Sequence, residues 1–243
     1  MPTILVSGAA NGLGAAFVDA YRQQEGTEII AIDRAAIPSS YENFRSFQVD
    51  VADEHSIDTF ARQIQDEAID LVIHSAGIRG LVPSVEAEKP NDVAACETIS
   101  VMDMATLTRT FQINAAGTFF LLRALLPNLR RPTVPQPKVV VMSSRMGSIG
   151  NNELPNKDAG SAFAYRASKA ALNTIVRSFA VDVPEVAFIL CHPGRVETKL
   201  VKGVEAGAIS VEESVASVMP LISTWDRIDS GKFYDRFGQV IQW

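Results

Sequence analysis

Short continuous runs of valine, isoleucine and leucine alternate with helical patterns along the whole of this 243-residue chain. Because polar residues do not interrupt these runs, they indicate strands that are buried on both faces of a sheet. Regular alternation of strand and helix implies right-handed crossovers, which place helices on both sides of a parallel sheet. We therefore predict a single α/β domain over residues 1–243, built on a doubly wound parallel sheet of about seven strands in three layers.

The individual elements can be placed from these patterns and from their flanking residues. The predicted strands cover residues 4–6, 28–33, 44–51, 70–75, 138–142, 186–191 and 232–234. Four of the predicted helices cover residues 12–24, 103–129, 162–180 and 211–221. A fifth is capped by Asp53 and runs through Phe60 and Ile64. A long loop is expected between the fourth strand and the helix over 103–129. The proline-rich stretch 131–137 connects a helix to a strand and does not divide the chain into domains.

Charge and composition exclude several classes of function. The chain has 22 lysines and arginines against 28 aspartates and glutamates, which gives a net charge of −6. Such a chain has no general attraction for phosphate backbones or anionic membranes, so we expect neither a nucleic-acid nor a membrane partner. No apolar run approaches the ~18 residues of a membrane span, and the N-terminus lacks a signal-peptide pattern, so we expect a cytoplasmic protein. Cys96 and Cys191 cannot form a disulfide framework, and no metal site is predicted, because no residue cluster has metal-ligand spacing.

A glycine-rich segment, Ser7–Gly14, lies between the first predicted strand and the first helix. It carries a G-x-x-x-G-x-G pattern at Gly8, Gly12 and Gly14. Glycines in such a turn let the main chain approach a pyrophosphate, and the amides that begin the helix bind it. Three glycines can also serve only as a tight connection. The position between a strand and a helix favours a dinucleotide-binding turn.

Asp33 ends the second predicted strand, nineteen residues after Gly14. A carboxylate at this place accepts hydrogen bonds from both ribose hydroxyls of a dinucleotide, and its charge repels a 2′-phosphate. We therefore predict NAD(H) as the cofactor in preference to NADP(H). Arg34 works against this preference, since a guanidinium group accommodates a 2′-phosphate or stacks on adenine. The alternative for Asp33 is a solvated aspartate at a strand end.

A phenol and an ammonium group stand one helical turn apart at Tyr165 and Lys169. The same helical face continues through Leu172, Val176 and Phe179, an apolar stripe that should face the sheet. A lysine in line with such a stripe is unusual, because an ammonium group is costly to desolvate without a partner. Its charge would favour the phenolate and move the tyrosine pKa from about 10 toward the operating pH, which suits proton exchange with a carbinol oxygen. The alternative is a lysine that extends to water beside an ordinary core tyrosine.

Two further side chains are candidates for the same site. Ser144 follows the fifth predicted strand, at the sheet edge where open α/β folds place ligand groups, and its hydroxyl can hold a substrate carbonyl oxygen. Adjacent serines are also common in turns. Asn114 lies on a largely apolar helix line, where it must find hydrogen-bond partners by bracing the backbone or by holding a water. That line consists of Leu107, Phe111, Thr118, Leu122 and Leu125.

Taken together, these residues follow the order typical of the short-chain dehydrogenase/reductase family, which the chain resembles over essentially its whole length. The ordered set comprises Gly8, Gly12, Gly14, Asp33, Asp50, Val51, Ser75, Ala76, Gly77, Asn114, Ser144, Tyr165, Lys169, Pro193, Gly194 and Thr198. The segments 142–148, 164–173 and 238–243 resemble the branch of C-factor and sniffer-like carbonyl reductases. The resemblance implies a Rossmann-like fold and NAD(P)(H)-dependent interconversion of a carbonyl and a secondary alcohol.

The resemblance also implies a role for each matching residue. Tyr165 would be the acid in carbonyl reduction and the base in alcohol oxidation, while Lys169 would lower the tyrosine pKa and hold the nicotinamide ribose. Ser144 would orient the substrate oxygen, and Asn114 would anchor a proton-relay water. The implied cofactor-binding residues are Gly8, Asn11, Gly12, Leu13, Gly14, Asp33, Arg34, Asp50 and Val51 (the last two at adenine), Ser75, Ala76, Gly77, Tyr165 and Lys169, with Pro193, Gly194, Val196 and Thr198 at the nicotinamide.

Some positions depart from the family pattern. Ser7 replaces the usual threonine before the first glycine, and His74-Ser75 replaces the usual Asn-Asn. The second change puts in doubt one side chain that braces the backbone and a contact to the cofactor ribose. Arg195 stands where the branch commonly carries tryptophan, and it meets either a polar or anionic substrate or only solvent.

The interval from Ser144 to Tyr165 is 21 residues, longer than is usual in the family. The excess, at 151–161, is rich in polar residues, glycine and proline, and we expect it to form a loop over the pocket. The sequence of this loop does not identify the substrate.

The residues allow two classes of function. The leading prediction is an NAD(H)-dependent oxidoreductase acting on a small carbonyl or alcohol substrate. The alternative is an NAD(H)-binding signalling or regulatory protein of C-factor type with little turnover, which would not need to keep all four candidate catalytic residues. By resemblance we also expect a homodimer or homotetramer. Its interface would include a small-residue edge that can equally pack within the subunit, formed by Ala164, Ala167, Ala171 and Ile175.

Overall fold

Seven strands form the centre of the computed structural model, which describes residues 1–38, 43–154, 156, 160–203 and 206–243. The strands are β1 (Thr3–Ser7), β2 (Glu28–Asp33), β3 (Phe44–Gln48), β4 (Leu71–His74), β5 (Lys138–Met142), β6 (Ala187–His192) and β7 (Phe233–Asp235). Their order in the sheet is β3-β2-β1-β4-β5-β6-β7, and every neighbouring pair is parallel. The order reverses between β1 and β4, as in a doubly wound Rossmann-like fold.

The helices follow the strands in the predicted alternation. They are α1 (Gly12–Arg22), α2 (Glu54–Gln63), α3 (Pro83–Glu88), α4 (Met104–Phe111), α5 (Gly117–Leu129), α6 (Phe163–Asp182) and α7 (Val211–Thr224). A π-helical segment at Gln112–Ala116 joins α4 to α5, and short 3₁₀ turns lie at Ala94–Glu97, Arg145–Gly147 and Arg227–Asp229. Asp53 caps α2 as predicted, because its carboxylate accepts the amide of His55 at 3.0 Å.

The sheet separates two apolar cores, because successive residues of a strand point to opposite faces. Leu5 and Val139 lie in the core that also contains side chains of α2, α5 and α6, whereas their neighbours Val6 and Val140 lie in the core shared with α1 and α7. All four side chains are fully buried. The prediction of a three-layer α/β fold is thereby confirmed, and the continuous apolar strands follow from the burial of both faces.

β3 is shorter than predicted and ends at Gln48 instead of Val51. The amide of Val49 still donates to the carbonyl of Asp33 at 2.8 Å, but Asp50 then turns the chain by accepting the amide of Ala52 at 2.9 Å. This turn takes the chain out of the sheet. A short polar turn at a strand end is therefore the physical reason for the error.

The long loop predicted after β4 contains two short helical elements, α3 and the turn Ala94–Glu97. Pro83 lies in the first turn of α3, where its fixed φ suits a helix start. α3 has six residues and none of them is buried. Without a buried face there is no apolar periodicity, which is why the sequence pattern did not reveal it.

The helix predicted over 103–129 is interrupted by the π-helical segment, and the interruption shifts the buried face. The predicted line through Leu107 and Phe111 is wrong in α4, since Leu107 is only partly buried and Phe111 is 49% exposed. The wider π turn changes the phase between α4 and α5. The buried polar residues of this stretch are Thr106 and Thr110 in α4, Asn114 in the π-helical segment, and Thr118 and Asn128 in α5.

Two further predictions concern membrane spans and the loop at 151–161. Across the described ranges, no helix is both long and apolar enough to span a bilayer. Residues 155 and 157–159 of the loop predicted at 151–161 lie outside the described residues. The described residues of that loop do not line the cleft discussed next.

Candidate active site

A cleft of about 390 Å³ opens at the carboxyl ends of the strands, around the point where the strand order reverses. This is the place where open α/β sheets bind ligands. Two of the sequence-predicted residues, Gly14 and Asn114, do not line the cleft, but each contacts a residue that does. The predicted residues that do line it are Gly8, Asn11, Gly12, Leu13, Asp33, Arg34, Asp50, Val51, Ser75, Ala76, Gly77, Ser144, Tyr165, Lys169, Pro193, Gly194, Val196 and Thr198.

Sequence reasoning missed further residues of the cleft wall. Most of them are apolar and carry no chemical signal of their own, and the others directly flank a predicted residue. Proximity to a motif was therefore the only signal that could have found them. They are Ile32, Val49, Ile78, Ile113, Met142, Ser143, His192, Lys199 and Leu200.

The glycine turn packs too closely for side chains. Gly8 has φ +69°, a left-handed backbone conformation that glycine adopts without strain. A Cβ on Gly8 would lie 2.8 Å from the amide nitrogen of Ala76, and one on Gly14 would lie 2.1 Å from the carbonyl oxygen of Gly8. The bare main chain therefore forms the cleft wall at the start of α1. This cradle fits the pyrophosphate of a dinucleotide, which binds to backbone amides at a helix N-terminus.

Asp33 stands at the end of β2 and ties the glycine turn to the sheet. One carboxylate oxygen accepts the amide of Ala10 at 3.0 Å, and the other accepts the amide of Ala35 at 2.8 Å. The side chain is thus fixed and only partly buried, with its negative charge at the cleft wall. Arg34 is exposed beside it and lines the same end of the cleft.

His74 stands where the family usually carries an asparagine that braces the backbone, and the histidine provides this brace through two hydroxyl groups. The imidazole is 1% exposed and lies between two hydroxyls, with Nδ1 2.7 Å from Oγ of Ser7 and Nε2 2.8 Å from Oγ1 of Thr118. The hydroxyl of Thr118 donates in turn to the carbonyl of Asn114 at 3.0 Å. A buried chain of hydrogen bonds therefore joins the glycine turn to the π-helical segment.

Tyr165 and Lys169 lie on the same face of α6 and line the same cleft. The Lys169 Nζ atom is 5.7 Å from the centroid of the Tyr165 ring and donates to the carbonyl of Met142, the last residue of β5, at 2.8 Å. Both side chains are buried, Tyr165 at 8% exposure and Lys169 at 5%. Burial lowers the pKa of Lys169 to about 8. The ammonium group therefore does not extend to water, which was the alternative interpretation of this pair.

Ser144 and Asn114 stand at the same end of the sheet, but only the Ser144 side chain keeps a hydrogen-bond donor that it can offer to a ligand. The Ser144 hydroxyl accepts the amide of Met146 at 3.2 Å and keeps its proton for another acceptor. Asn114 is fully buried, its amide nitrogen donates to the carbonyl of Ile78 and to Oγ of Ser168, and its amide oxygen accepts the amide of Ile78. The Asn114 side chain thus braces the chain after β4, one of the two roles that the sequence left open.

The segment after β6 closes the cleft from the other side. The carbonyl of Pro193 accepts the Ser214 hydroxyl at 2.7 Å, which fixes the segment to α7. A Cβ on Gly12 would lie 3.3 Å from the Thr198 side chain, so the segment approaches the glycine turn closely. Arg195 is exposed and donates to the carbonyl of Ala206 at 2.9 Å, so it contacts its own loop.

The chemistry that this arrangement can perform is proton exchange at the wall of the cleft. A phenol next to a buried ammonium group is suited to give up and take back a proton, and a serine hydroxyl stands at the same end of the sheet. Among the residues that the structure describes, no group of three or more His, Cys, Asp and Glu side chains is placed to hold a metal ion.

Comparisons with known proteins agree with this fold. The family model described as short chain dehydrogenase matches residues 2–208. The chain is 34% identical to C-signal of Myxococcus xanthus over 186 residues, which cover 76% of this chain and 98% of that protein. Among solved structures, it superposes on the NADPH-bound carbonyl reductase from chicken fatty liver with a TM-score of 0.83 at 24% identity, covering 100% of this chain and 94% of the other. The carbonyl reductase Sniffer of D. melanogaster gives a TM-score of 0.82 at 24% identity, with full coverage of both chains.

Proposed function

The chain belongs to the short-chain dehydrogenase/reductase family, and from this premise we propose that it interconverts a carbonyl and a secondary alcohol on a small organic substrate. Enzymes of this family use a nicotinamide dinucleotide. The glycine turn, Asp33 and the segment Pro193–Thr198 would hold the dinucleotide, because they line the cleft and leave backbone amides at its wall. When bound, this cofactor supplies the hydride in reduction and receives it in oxidation.

The side chains of the cleft would manage the proton. Tyr165 gives its phenol proton to the substrate oxygen in reduction and takes a proton from the alcohol in oxidation. Lys169 favours the phenolate through its charge, and the Ser144 hydroxyl holds the substrate oxygen. Asn114 keeps the chain after β4 in place. One observation carries the proposal: the Lys169 Nζ atom, fixed to Met142, lies 5.7 Å from the Tyr165 ring inside the cleft.

A turnover screen tests this function. Purified protein with NADH or NADPH is mixed with a panel of ketones, aldehydes and quinones, and secondary alcohols are tested with the oxidised cofactors. The absorbance of the reduced nicotinamide reports hydride transfer, and stoichiometric cofactor binding is measured separately by calorimetry. Turnover on any compound that disappears in Tyr165→Phe supports the proposal. Tight cofactor binding without turnover across the whole panel contradicts it.

The similarity to C-signal supports a second candidate, a protein that binds NAD(H) in a signalling or regulatory role with little turnover. The two candidates differ in what the four buried polar residues of the site are for. A sensor needs the cradle for the dinucleotide but not a phenol beside a buried ammonium group. The cost of burying Lys169 favours the enzyme, because an ammonium group is kept out of water only where its charge is used.

We propose NAD(H) as the preferred cofactor, on the position and charge of Asp33. Asp33→Asn removes the charge but keeps an oxygen that can accept the amides of Ala10 or Ala35. Hydrogen bonds to a charged group contribute about 1.5–3 kcal/mol. We therefore expect the ratio of kcat/KM for NADH over NADPH to fall by at least about tenfold.

Arg34→Ala is the matched control for this test. It removes the neighbouring guanidinium and should shift the same ratio in the opposite direction, or leave it unchanged if Arg34 only stacks on adenine. A cofactor ratio in Asp33→Asn equal to that of the wild type would refute the role of Asp33.

We also propose that the chain forms a homo-oligomer through α4 and α6. Both helices leave apolar surface exposed, including Phe111 at 49% exposure and Phe163 at 40%. Of the small-residue edge predicted on α6, Ala167 is exposed whereas Ala164 is buried within the subunit. Light scattering after gel filtration should give at least twice the 26.3 kDa mass of the chain, and Phe111→Glu should reduce it to that mass.

A further inference from the structure

Arg79 lies two residues beyond Gly77 on the segment that follows β4, and it forms a buried ion pair with Glu97. The guanidinium Nε and Nη2 atoms donate to the two carboxylate oxygens at 2.8 and 2.9 Å. The side chains are 12% and 7% exposed. This is the bidentate geometry that fixes a guanidinium group most firmly.

The same guanidinium group stacks on the ring of Tyr165. Its Cζ atom lies 4.9 Å from the ring centroid, closer than the 5.7 Å of the Lys169 Nζ atom. The Nη1 atom also lies 3.2 Å from Sδ of Met146, in the turn that follows Ser144. Arg79 therefore joins three segments of the site: the chain after β4, the turn after β5 and the first turn of α6.

Glu97 is fixed to the start of the helix that carries Tyr165. Its backbone carbonyl accepts the amide of Ala162 at 3.0 Å and the hydroxyl of Ser161 at 3.1 Å. Ser161 and Ala162 have φ of 51° and 50°, a left-handed conformation that is unfavourable for residues other than glycine. The contact with Glu97 holds this strained entry to α6, so the ion pair and the tyrosine are built as one unit.

The energetics of the pair argue against a purely stabilising role. A buried ion pair loses much of its attraction to desolvation, and apolar residues of similar size would serve stability at least as well. A guanidinium group also keeps its charge at every accessible pH, whereas burial lowers the pKa of Lys169 to about 8. Above that pH the charge of Lys169 fades while that of Arg79 persists beside the ring.

We infer that Arg79 is a positioning residue that holds the Tyr165 ring and favours its phenolate form, with Glu97 setting both the orientation and the strength of this effect. A cation over an aromatic face is attracted more strongly when the ring carries negative charge. The inference rests on the proposed function, in which Tyr165 is the acid and base.

Other charged groups near α6 differ in how they face the ring. Lys169 comes from the same helix, and His192 lines the cleft at the end of β6. Burial, with the charge of Arg145, lowers the pKa of His192 to about 4, so it is neutral above that pH. Arg145 itself pairs with Asp235 at 3.6 Å. The other charged groups on α6 and on the helices packed against it have their own contacts or face solvent. They are Arg109 on α4, which is exposed, Arg123 on α5, which pairs with Glu54, and three residues of α6 itself: Arg166, which donates to the carbonyl of Gly160, Arg177, which donates to the carbonyl of Gly231, and Asp182, which is exposed.

Spectrophotometric titration of tyrosinate tests the inference without substrate or turnover. Subtracting the titration of Tyr165→Phe from each background isolates Tyr165 among the four tyrosines. Burial raises the pKa of Tyr21 to about 12, and burial with the charge of Asp229 raises the pKa of Tyr234 further. Arg79→Met keeps an unbranched side chain but removes the charge, and we expect the Tyr165 midpoint to move to higher pH by about one unit.

Glu97→Gln should shift the titration midpoint of Tyr165 in the opposite direction. It keeps the size of the side chain and removes the negative charge that offsets Arg79, so the midpoint should move to lower pH. Arg123→Met is the matched control, because Arg123 stacks on Phe120 at 4.8 Å and pairs with Glu54 at 2.7 Å on the exposed side of α5. Its removal changes the net charge equally and should leave the midpoint unmoved.

Opposite shifts of the Tyr165 midpoint in Arg79→Met and Glu97→Gln support the inference. If these shifts are found but no carbonyl substrate is turned over, only the proposed function fails. Midpoints equal to the wild type in both variants overturn it, as does a shift in the same direction in both, which would indicate a general loosening of the site. A Tyr165 that does not titrate before the wild type unfolds also overturns it. Where Arg79→Met does not fold, as judged by circular dichroism, the Glu97→Gln shift alone decides.

Discussion

Phenylalanine in place of Tyr165 is expected to reduce turnover by about 10²–10⁴-fold, the contribution of a positioned acid–base group, while NADH binds with near wild-type affinity. The substitution removes only the phenol oxygen and its proton. The ring can keep its place, because both the Lys169 ammonium and the Arg79 guanidinium groups lie over it and because it is buried at the start of α6. The glycine turn that would hold the pyrophosphate belongs to a different segment, between β1 and α1. Single-turnover kinetics with the best substrate of the screen, together with calorimetric titration of NADH, would measure the two quantities separately.

Tyr21→Phe is the control for the loss of a buried phenol. Tyr21 is on α1, it is as buried as Tyr165, and it does not line the cleft. Its replacement should leave kcat within about twofold, because it removes no group that touches the reacting atoms. Full activity in Tyr165→Phe would show that another group exchanges the proton, and the assignment of Tyr165 would then be wrong.

The fold was predictable because its dominant signal is local and repeated. The run Glu28–Asp33 could be assigned as a buried strand from six residues alone, and β2 has those bounds. Asp53 could be assigned as a helix cap from its position alone. A doubly wound sheet then follows from the alternation of elements, which places the end of β1 beside the end of β4. The glycine turn and the ends of the strands meet there for topological reasons, and most of the candidate site follows from that meeting.

What escaped prediction depends on contacts between residues distant in sequence. Arg79 and Glu97 are charged residues of a loop without any motif, and only the folded chain shows that they form a buried pair whose guanidinium group lies over Tyr165. The π-helical segment contains Asn114, whose side chain is bonded to the backbone of Ile78, 36 residues away in the sequence. The periodicity of apolar residues cannot predict such contacts, since it depends only on the residues within one segment and not on what that segment packs against.

His74 gives the chain a weakness toward acid that follows from the buried hydrogen-bond chain. The Ser7 hydroxyl accepts the amides of Ser75 and Ala76, at 3.2 and 3.3 Å, so its own proton points to Nδ1 of His74. Nε2 then carries the ring proton and donates to Thr118. The imidazole is neutral in this arrangement, and a second proton on Nδ1 would face a donor. Burial, with the charge of Lys169, lowers the pKa of His74 from 6.5 to about 3.

This depressed pKa predicts how stability changes with pH. Between pH 6.5 and about 3 the unfolded chain binds a proton at this position and the folded chain does not, so the free energy of unfolding falls as the pH falls. The contribution is complete above the unfolded pKa of 6.5, and about 3 kcal/mol of it is lost by about pH 4, at roughly 1.4 kcal/mol for each unit. His192, whose pKa is lowered to about 4 chiefly by burial, adds to the same trend.

His74→Asn should therefore reduce the loss of stability between neutral pH and about pH 4 by about 3 kcal/mol relative to the wild type. At neutral pH the variant should be less stable, because asparagine is too short to bond both the Ser7 and the Thr118 hydroxyls in the same way and leaves a small cavity. Urea unfolding followed by circular dichroism at both pH values measures the difference. His55→Asn is the control, since His55 is exposed on α2 and its replacement should preserve the acid sensitivity of the wild type. An acid sensitivity in His74→Asn equal to that of the wild type would mean that His74 binds its proton as readily in the folded chain as in the unfolded chain. The hydrogen bond between Nδ1 and Ser7 would then have to run from the imidazolium group to the hydroxyl, whereas the bonds from Nε2 to Thr118 and from Thr118 to the Asn114 carbonyl would keep their direction.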